Sequence, residues 1–101
     1  MKLKVYISLP ITGKDLERQK KYAQDIAERV AICGHDPMNP FYNFLPDDAP
    51  RTAHMKADIK MLLDCNAIMM CHGWESSDGC RLEKSVAEQC GLLVLYDEEN
   101  H

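Results

Sequence analysis

The sequence predicts an α/β fold: a Rossmann-like, doubly wound, mainly parallel sheet of four or five strands with helices on both faces. Two observations predict it. Short apolar runs of strand length alternate with longer segments of helical periodicity, which is the pattern of right-handed β–α–β crossovers. Glycines also punctuate the pattern where helices should stop, at Gly34 and Gly91.

Residues 3–8 (LKVYIS) alternate, with Leu3, Val5 and Ile7 on one side, as a strand requires. Residues 14–33 carry a helical stripe of Leu16, Ala23, Ile26, Ala27 and Val30. Pro37 and Pro40 forbid a helix over 35–40, so that segment is read as extended. Residues 41–50 form a loop rich in aromatics, Pro and Asp. Residues 51–64 are helical, with Met55, Ile59, Leu62 and Leu63 on one face. Residues 66–72 and 92–96 are short apolar runs suited to the interior of a parallel sheet. Residues 79–91 between them form a helix that turns Leu82, Val86 and Cys90 inward. The run from Asp97 to Glu99 reads as a solvated tail.

The 101 residues suit a single domain, 1–101, whose 46% hydrophobic content can build one core. Self-association into a homodimer or larger homo-oligomer would add buried surface to so small a core. The net charge of −4 argues against a dedicated nucleic-acid binder but leaves room for a small anion held in a local pocket. No segment approaches the roughly 20 apolar residues that span a bilayer, so no membrane partner is expected. Five cysteines cannot all pair within one chain, and four lie in or beside apolar runs. Free thiols and a cytoplasmic location are expected. Cys65, Cys71, His72 and Cys80 lack the paired spacing of a zinc site, so neither metal nor cofactor is expected.

In a doubly wound sheet, ligands bind beyond the carboxyl ends of the strands. That rule selects the stretch from Ser8 to Lys14, the stretch from His72 to Gly79, and the loop near Pro40–Pro50. In the first, Tyr6-Ile-Ser-Leu-Pro-Ile-Thr-Gly13 ends a strand in a Pro/Gly turn that opens a helix. Ser8, Pro10, Thr12 and Gly13 are candidate substrate contacts, because free backbone N–H groups at such a turn can hold an anion. Taken alone, the stretch reads more simply as an ordinary βα turn.

In the second, Ser76, Ser77 and Asp78 are competent helix N-caps, and Gly79 lets a ligand approach the backbone. Glu83 falls in the first turns of the following helix, where the dipole favours an ionised carboxylate. Ionised, it could attack an anomeric carbon. Ser77 and Glu83 are separated by at most about 9 Å of helical rise, so one end could hold a 5′-phosphate while the other reaches C1′. The plainer reading is a capped helix with a solvated glutamate. His54 and Asp58, four apart, share a helix face and read most simply as a solvated pair. Trp74 and Tyr42 are candidates to stack on a base, although loop aromatics also serve as core plugs.

Three elements together carry a resemblance: Tyr-Ile-Ser-x-Pro-Ile-Thr-Gly near the start, Lys-Ala-Asp58-Ile in the middle helix, and Gly-Trp-x-x-Ser-x-Gly-x-x-x-Glu83. Over nearly its whole length the chain resembles the nucleoside 2-deoxyribosyltransferase superfamily, in particular its short bacterial and phage branch. The resemblance implies a flavodoxin-like sheet. It also implies deoxyribosyl transfer between bases or hydrolysis of deoxynucleoside monophosphates. By match to the motif, Glu83 would be the nucleophile, Asp58 would handle the base and its proton, and Tyr6 would line the site and orient the nucleophile. Ser77 stands where the monophosphate hydrolases carry a phosphate-contacting serine and the transferases an aspartate. Leu9 replaces a common glycine, and Thr12 stands where some hydrolases have arginine.

The expected activity is therefore cleavage of the N-glycosidic bond of a (2′-deoxy)nucleoside 5′-monophosphate through a glycosyl–Glu83 intermediate. The alternatives are a deoxyribosyltransferase, a catalytically silent nucleotide-binding module, and a small oligomeric interaction protein without a ligand.

Overall fold

The computed structural model describes residues 1–97. Four strands, β1 (Lys4–Ser8), β2 (Asp36–Met38), β3 (Ala67–Met70) and β4 (Leu93–Tyr96), form one all-parallel sheet in the order β2-β1-β3-β4. Three helices connect them: α1 (Leu16–Ile32), α2 (Arg51–Leu63) and α3 (Asp78–Gln89). This is the flavodoxin-like order, with four strands among the described residues.

Alternation along β1 divides the core. Val5 and Ile7 face α1 and pack with Ala23, Ile26 and Val30, while Tyr6 faces the opposite side with Leu62, Ile68, Met70 and Ala87 of β3, α2 and α3. Helices therefore cover both faces. The stripe on α1 follows from its sequence, and Asp15 starts the helix by accepting from the amides of Glu17 and Arg18 at 3.0 and 3.2 Å.

β2 is an edge strand that tolerates Pro37. The Asp36 amide donates to Leu3 O across the ladder at 2.8 Å. Strand alternation then turns the Pro37 nitrogen outward, where no ladder hydrogen bond is lost.

Four expectations need correction. Residues 92–96 form the opposite edge of the sheet, not its interior, and Leu93 is 53% exposed. On α3 the buried face is Cys80, Glu83 and Ala87, while Leu82 (47% exposed) and Cys90 point outward. On α2, Asp58 and Leu62 are buried and Leu63 is exposed. Asp97 is no part of a solvated tail: its side chain is only 4% exposed, accepts from the Tyr22 hydroxyl at 2.7 Å and pairs with Arg29. Glu98 and Glu99 lie outside the described residues.

All five cysteines are free thiols: Cys65, Cys71 and Cys80 are buried, Cys33 and Cys90 exposed. Among the described residues no helix is long and apolar enough to cross a membrane.

The buried face of α2 and the rotated face of α3 can be checked by equilibrium unfolding in urea. Leu62→Ala removes a fully buried side chain and should cost about 2–5 kcal/mol. Leu82→Ala should stay within about 0.5 kcal/mol, as for other surface substitutions. A large loss at Leu82 would place the original stripe inward after all.

Candidate active site

The chain leaves β1 for the β2 side of the sheet and returns to β3 on the other, so the loops after β1 and β3 diverge and open a crevice. A cleft of about 860 Å³ occupies it. Its walls come from the turn after β1, the loop after β2, one face of α2 and the start of α3.

Glu83 forms part of the floor. It is 6% exposed, and both carboxylate oxygens accept hydrogen bonds from β1 hydroxyls: Oε2 from Tyr6 at 2.6 Å and Oε1 from Ser8 at 2.7 Å. Tyr6 and Ser8 are two apart and therefore on the same face of the strand. Burial raises the Glu83 carboxyl from 4.5 to about 7, against the lowering effect of the two hydroxyls and with a further rise from the nearby Asp58 charge. Tyr6 is itself pushed well above the usual phenol range, first by burial and then by Glu83. It remains a protonated donor.

Asp58 lines the same cleft from α2. Burial raises its carboxyl, while the Asn43 amide, donating to Oδ1 at 2.9 Å, and His54 lower it. Two carboxyls thus share one crevice, both raised above the ordinary range by burial.

Ser77 caps α3, accepting at Oγ from the Cys80 amide at 3.2 Å. The uncharged serine hydroxyl sets no negative charge against an anion in the cleft. The first amides of α3 lie beside it. Gly79 adds no side chain to this corner, where a Cβ would meet Met55 Cε at 3.4 Å.

Across the cleft, Pro10, Thr12 and Gly13 line the turn after β1. Gly13 takes φ +78°, a left-handed conformation that favours glycine. The Pro10 carbonyl is tied to α1 by the Gln19 amide at 2.5 Å. Leu9, the departure from glycine, is buried in the α1-side core with Ile7 and Ala23. It also borders the cleft.

Glu83, Asp58, Ser77, Gly79, Pro10, Thr12 and Gly13 are thus brought to one cleft. Tyr6 and Ser8 are fully buried beneath it and reach it through Glu83. For Ser8 this means holding the carboxylate, not touching a ligand. Trp74 lies outside the cleft, its ring 6.0 Å from that of Tyr96 and under the Lys84 ammonium. Tyr42 also points away and meets Gln24 on α1. Phe41 is the loop aromatic that lines the cleft.

Sequence reasoning passed over Asn43, Arg51 and Met55, which also line the cleft. Asn43 had no signal beyond sitting in a loop. Arg51 and Met55 lie on a helix whose faces hydropathy alone misassigned. Among the described residues no group of three or more His, Cys, Asp or Glu is placed to hold a metal ion.

Among solved structures, one described as that of the Clostridium botulinum CMP N-glycosidase BcmB matches with a TM-score of 0.62 at 19% identity. The match covers 97% of this chain and 73% of that one. At that identity the likeness concerns the fold. No curated protein matches the chain. Residues 3–96 match the family described as a domain of unknown function, DUF4406. That span takes in every strand and helix and the whole cleft, and the chain belongs to this family.

Proposed function

We propose that this protein cleaves the N-glycosidic bond of a (2′-deoxy)nucleoside 5′-monophosphate, with Glu83 as the nucleophile. The observation that carries the reading is the buried Glu83 carboxylate, held by Tyr6 and Ser8 on the floor of a cleft large enough for a nucleotide. The matching sequence elements and a fold shared with a CMP N-glycosidase support it.

In the first half-reaction an ionised Glu83 oxygen attacks C1′ and the C1′–N bond breaks. The departing base takes the proton of Asp58. In the second half-reaction water attacks C1′, Asp58 accepts a proton from it, and the ester to Glu83 breaks. Ser77 and the first α3 amides hold the phosphate, aided by the helix N-terminus. The acceptor in the second half-reaction separates hydrolase from transferase, and the neutral cap at Ser77 favours a phosphorylated substrate. A catalytically silent binding module is the alternative that the base-release assay separates from this reading.

The direct test is incubation with ribo- and deoxyribonucleoside monophosphates, CMP and dCMP among them, with chromatography for released base. Nucleotide binding with no base released from any of them would end the glycosidase reading. Because Glu83 must be ionised, kcat/KM should fall as the pH drops through about 7.

Glu83→Gln should reduce turnover by several orders of magnitude, since covalent catalysis loses its attacking group. The same variant should also be more stable above neutrality. The folded-state carboxyl titrates at about 7 against an ordinary 4.5. Its contribution is therefore fully present below about pH 4.5 and is lost as the pH rises through about 7. Glutamine removes that loss, which amounts to about 3 kcal/mol. Wild type and variant should unfold alike in urea at pH 4.5 and diverge at pH 8. Equal stability at both would mean that Glu83 is solvated.

Ser77→Asp keeps a competent helix cap but sets a charge against the phosphate. Stability should hold, while affinity for the monophosphate should fall about tenfold to a hundredfold. An unphosphorylated nucleoside should be little affected. Isothermal titration with both ligands checks this, and an equal loss for the two would remove Ser77 from the phosphate site.

A further inference from the structure

We propose that Asn43 and His54 are positioning residues for Asp58: they pin the loop after β2 to α2 and commit one Asp58 oxygen, leaving the other for the substrate base. The role in catalysis rests on the glycosidase reading, but the arrangement of bonds does not.

Asn43 is a hub with every polar hydrogen used. Its Oδ1 accepts from the Leu45 amide at 3.0 Å, which fixes which end of the side-chain amide is oxygen. Nδ2 therefore faces α2. One hydrogen goes to Asp58 Oδ1 at 2.9 Å and the other to His54 Nδ1 at 3.0 Å. On the far side of the imidazole, Nε2 lies 3.0 Å from the Pro46 carbonyl, which can only accept. The neutral Nε2–H tautomer satisfies both contacts. That tautomer places an acceptor at Nδ1 and a donor at Nε2.

Asp58 Oδ2 makes no hydrogen bond among the described residues, and it is not an enclosed, unpartnered atom. Asp58 lines the cleft, so this oxygen is open to a ligand there. The loop is also tied at its far end, where Asp47 pairs with Lys20 of α1 at 2.8 Å. Phe44 takes φ +66°, unusual for an aromatic residue, with its ring 98% exposed. The Asn43 bonds on either side of it hold that strained turn closed.

Asp58 is faced by His54 on its own helix, by Asn43 from the loop, and by Glu83 and Tyr6, both of which feel its charge. Lys14, Asp47, Arg51 and Asp78 are the other charged groups along the cleft. The donor at position 43 is the contact that a single isosteric change can reverse.

Asn43→Asp keeps the shape and replaces that donor with a second carboxylate. Two carboxyls in hydrogen-bond range share a proton, so the midpoint of Asp58 should rise by about one pH unit or more. The titration is followed by carbon NMR of labelled aspartate in the Glu83→Gln background, with the Asp58 signal assigned by its loss in Asp58→Asn. In the active enzyme, the alkaline limb of the kcat profile should move the same way. KM for the monophosphate should change less than about threefold, because the phosphate contacts lie elsewhere. His54→Asn retains an acceptor near the Nδ1 position and should keep the wild-type profile. His54→Phe should lower kcat about tenfold by loosening the hub. An unmoved Asp58 midpoint in folded Asn43→Asp, or identical behaviour of His54→Asn and His54→Phe, would overturn the proposal. If wild type releases no base at all, the glycosidase reading falls by itself, and the Asp58 titration still decides whether Asn43 controls that carboxyl.

Discussion

The structure depends on one constraint: a carboxylate has been taken out of water and must be held. Burying an ionised group without partners is prohibitive, and α3 sets Glu83 against the middle of the sheet. The answer is local to β1. Side chains two apart on a strand stand on the same face, and both Tyr6 and Ser8 end in hydroxyls that reach the two Glu83 oxygens. That requirement places polar hydroxyls on the buried part of a central strand. It also fixes the register of α3 over the sheet, since sliding the helix by one residue would leave two hydroxyls and a charge without partners.

The opposite wall is built differently. α2 begins at Pro50 without a side-chain cap, and its cleft-facing carboxyl is held by a loop instead of a strand. One side of the cleft is thus as rigid as the sheet, and the other is as rigid as a few side-chain hydrogen bonds. On the proposed glycosidase reading, the division keeps the attacking group still while the base is accommodated.

Much of the fold was legible because β1, α1 and the two glycine stops obey ordinary periodicities. The faces of α2 and α3 were misread for one shared reason. A hydropathy stripe treats a carboxylate as an outward residue, so Glu83 and Asp58 were assigned to solvent and the stripes were drawn through Leu82, Cys90 and Leu63. These are the places where local rules should break if the residues are functional. Motif resemblance, not periodicity, pointed to both carboxyls. β4 was misplaced because an apolar run of strand length does not reveal how many neighbours it has. Asn43 was invisible because its importance lies in three partners that only the folded chain assembles. Trp74 was overvalued because a loop tryptophan beside a conspicuous motif is as easily a packing element as a ligand platform.

The two borders of the sheet are not equivalent. On the outer side of β2 the position that would offer an N–H is the Pro37 nitrogen, which has none, so that margin presents no donor to a neighbouring strand. β4 carries no proline, and its outer side is unpaired among the described residues. The sheet therefore has a direction of growth. An added strand is refused beside β2 and admitted beside β4, which lies away from the loop after β2 that lines the cleft. Lengthening the protein there would enlarge the scaffold without rebuilding the pocket.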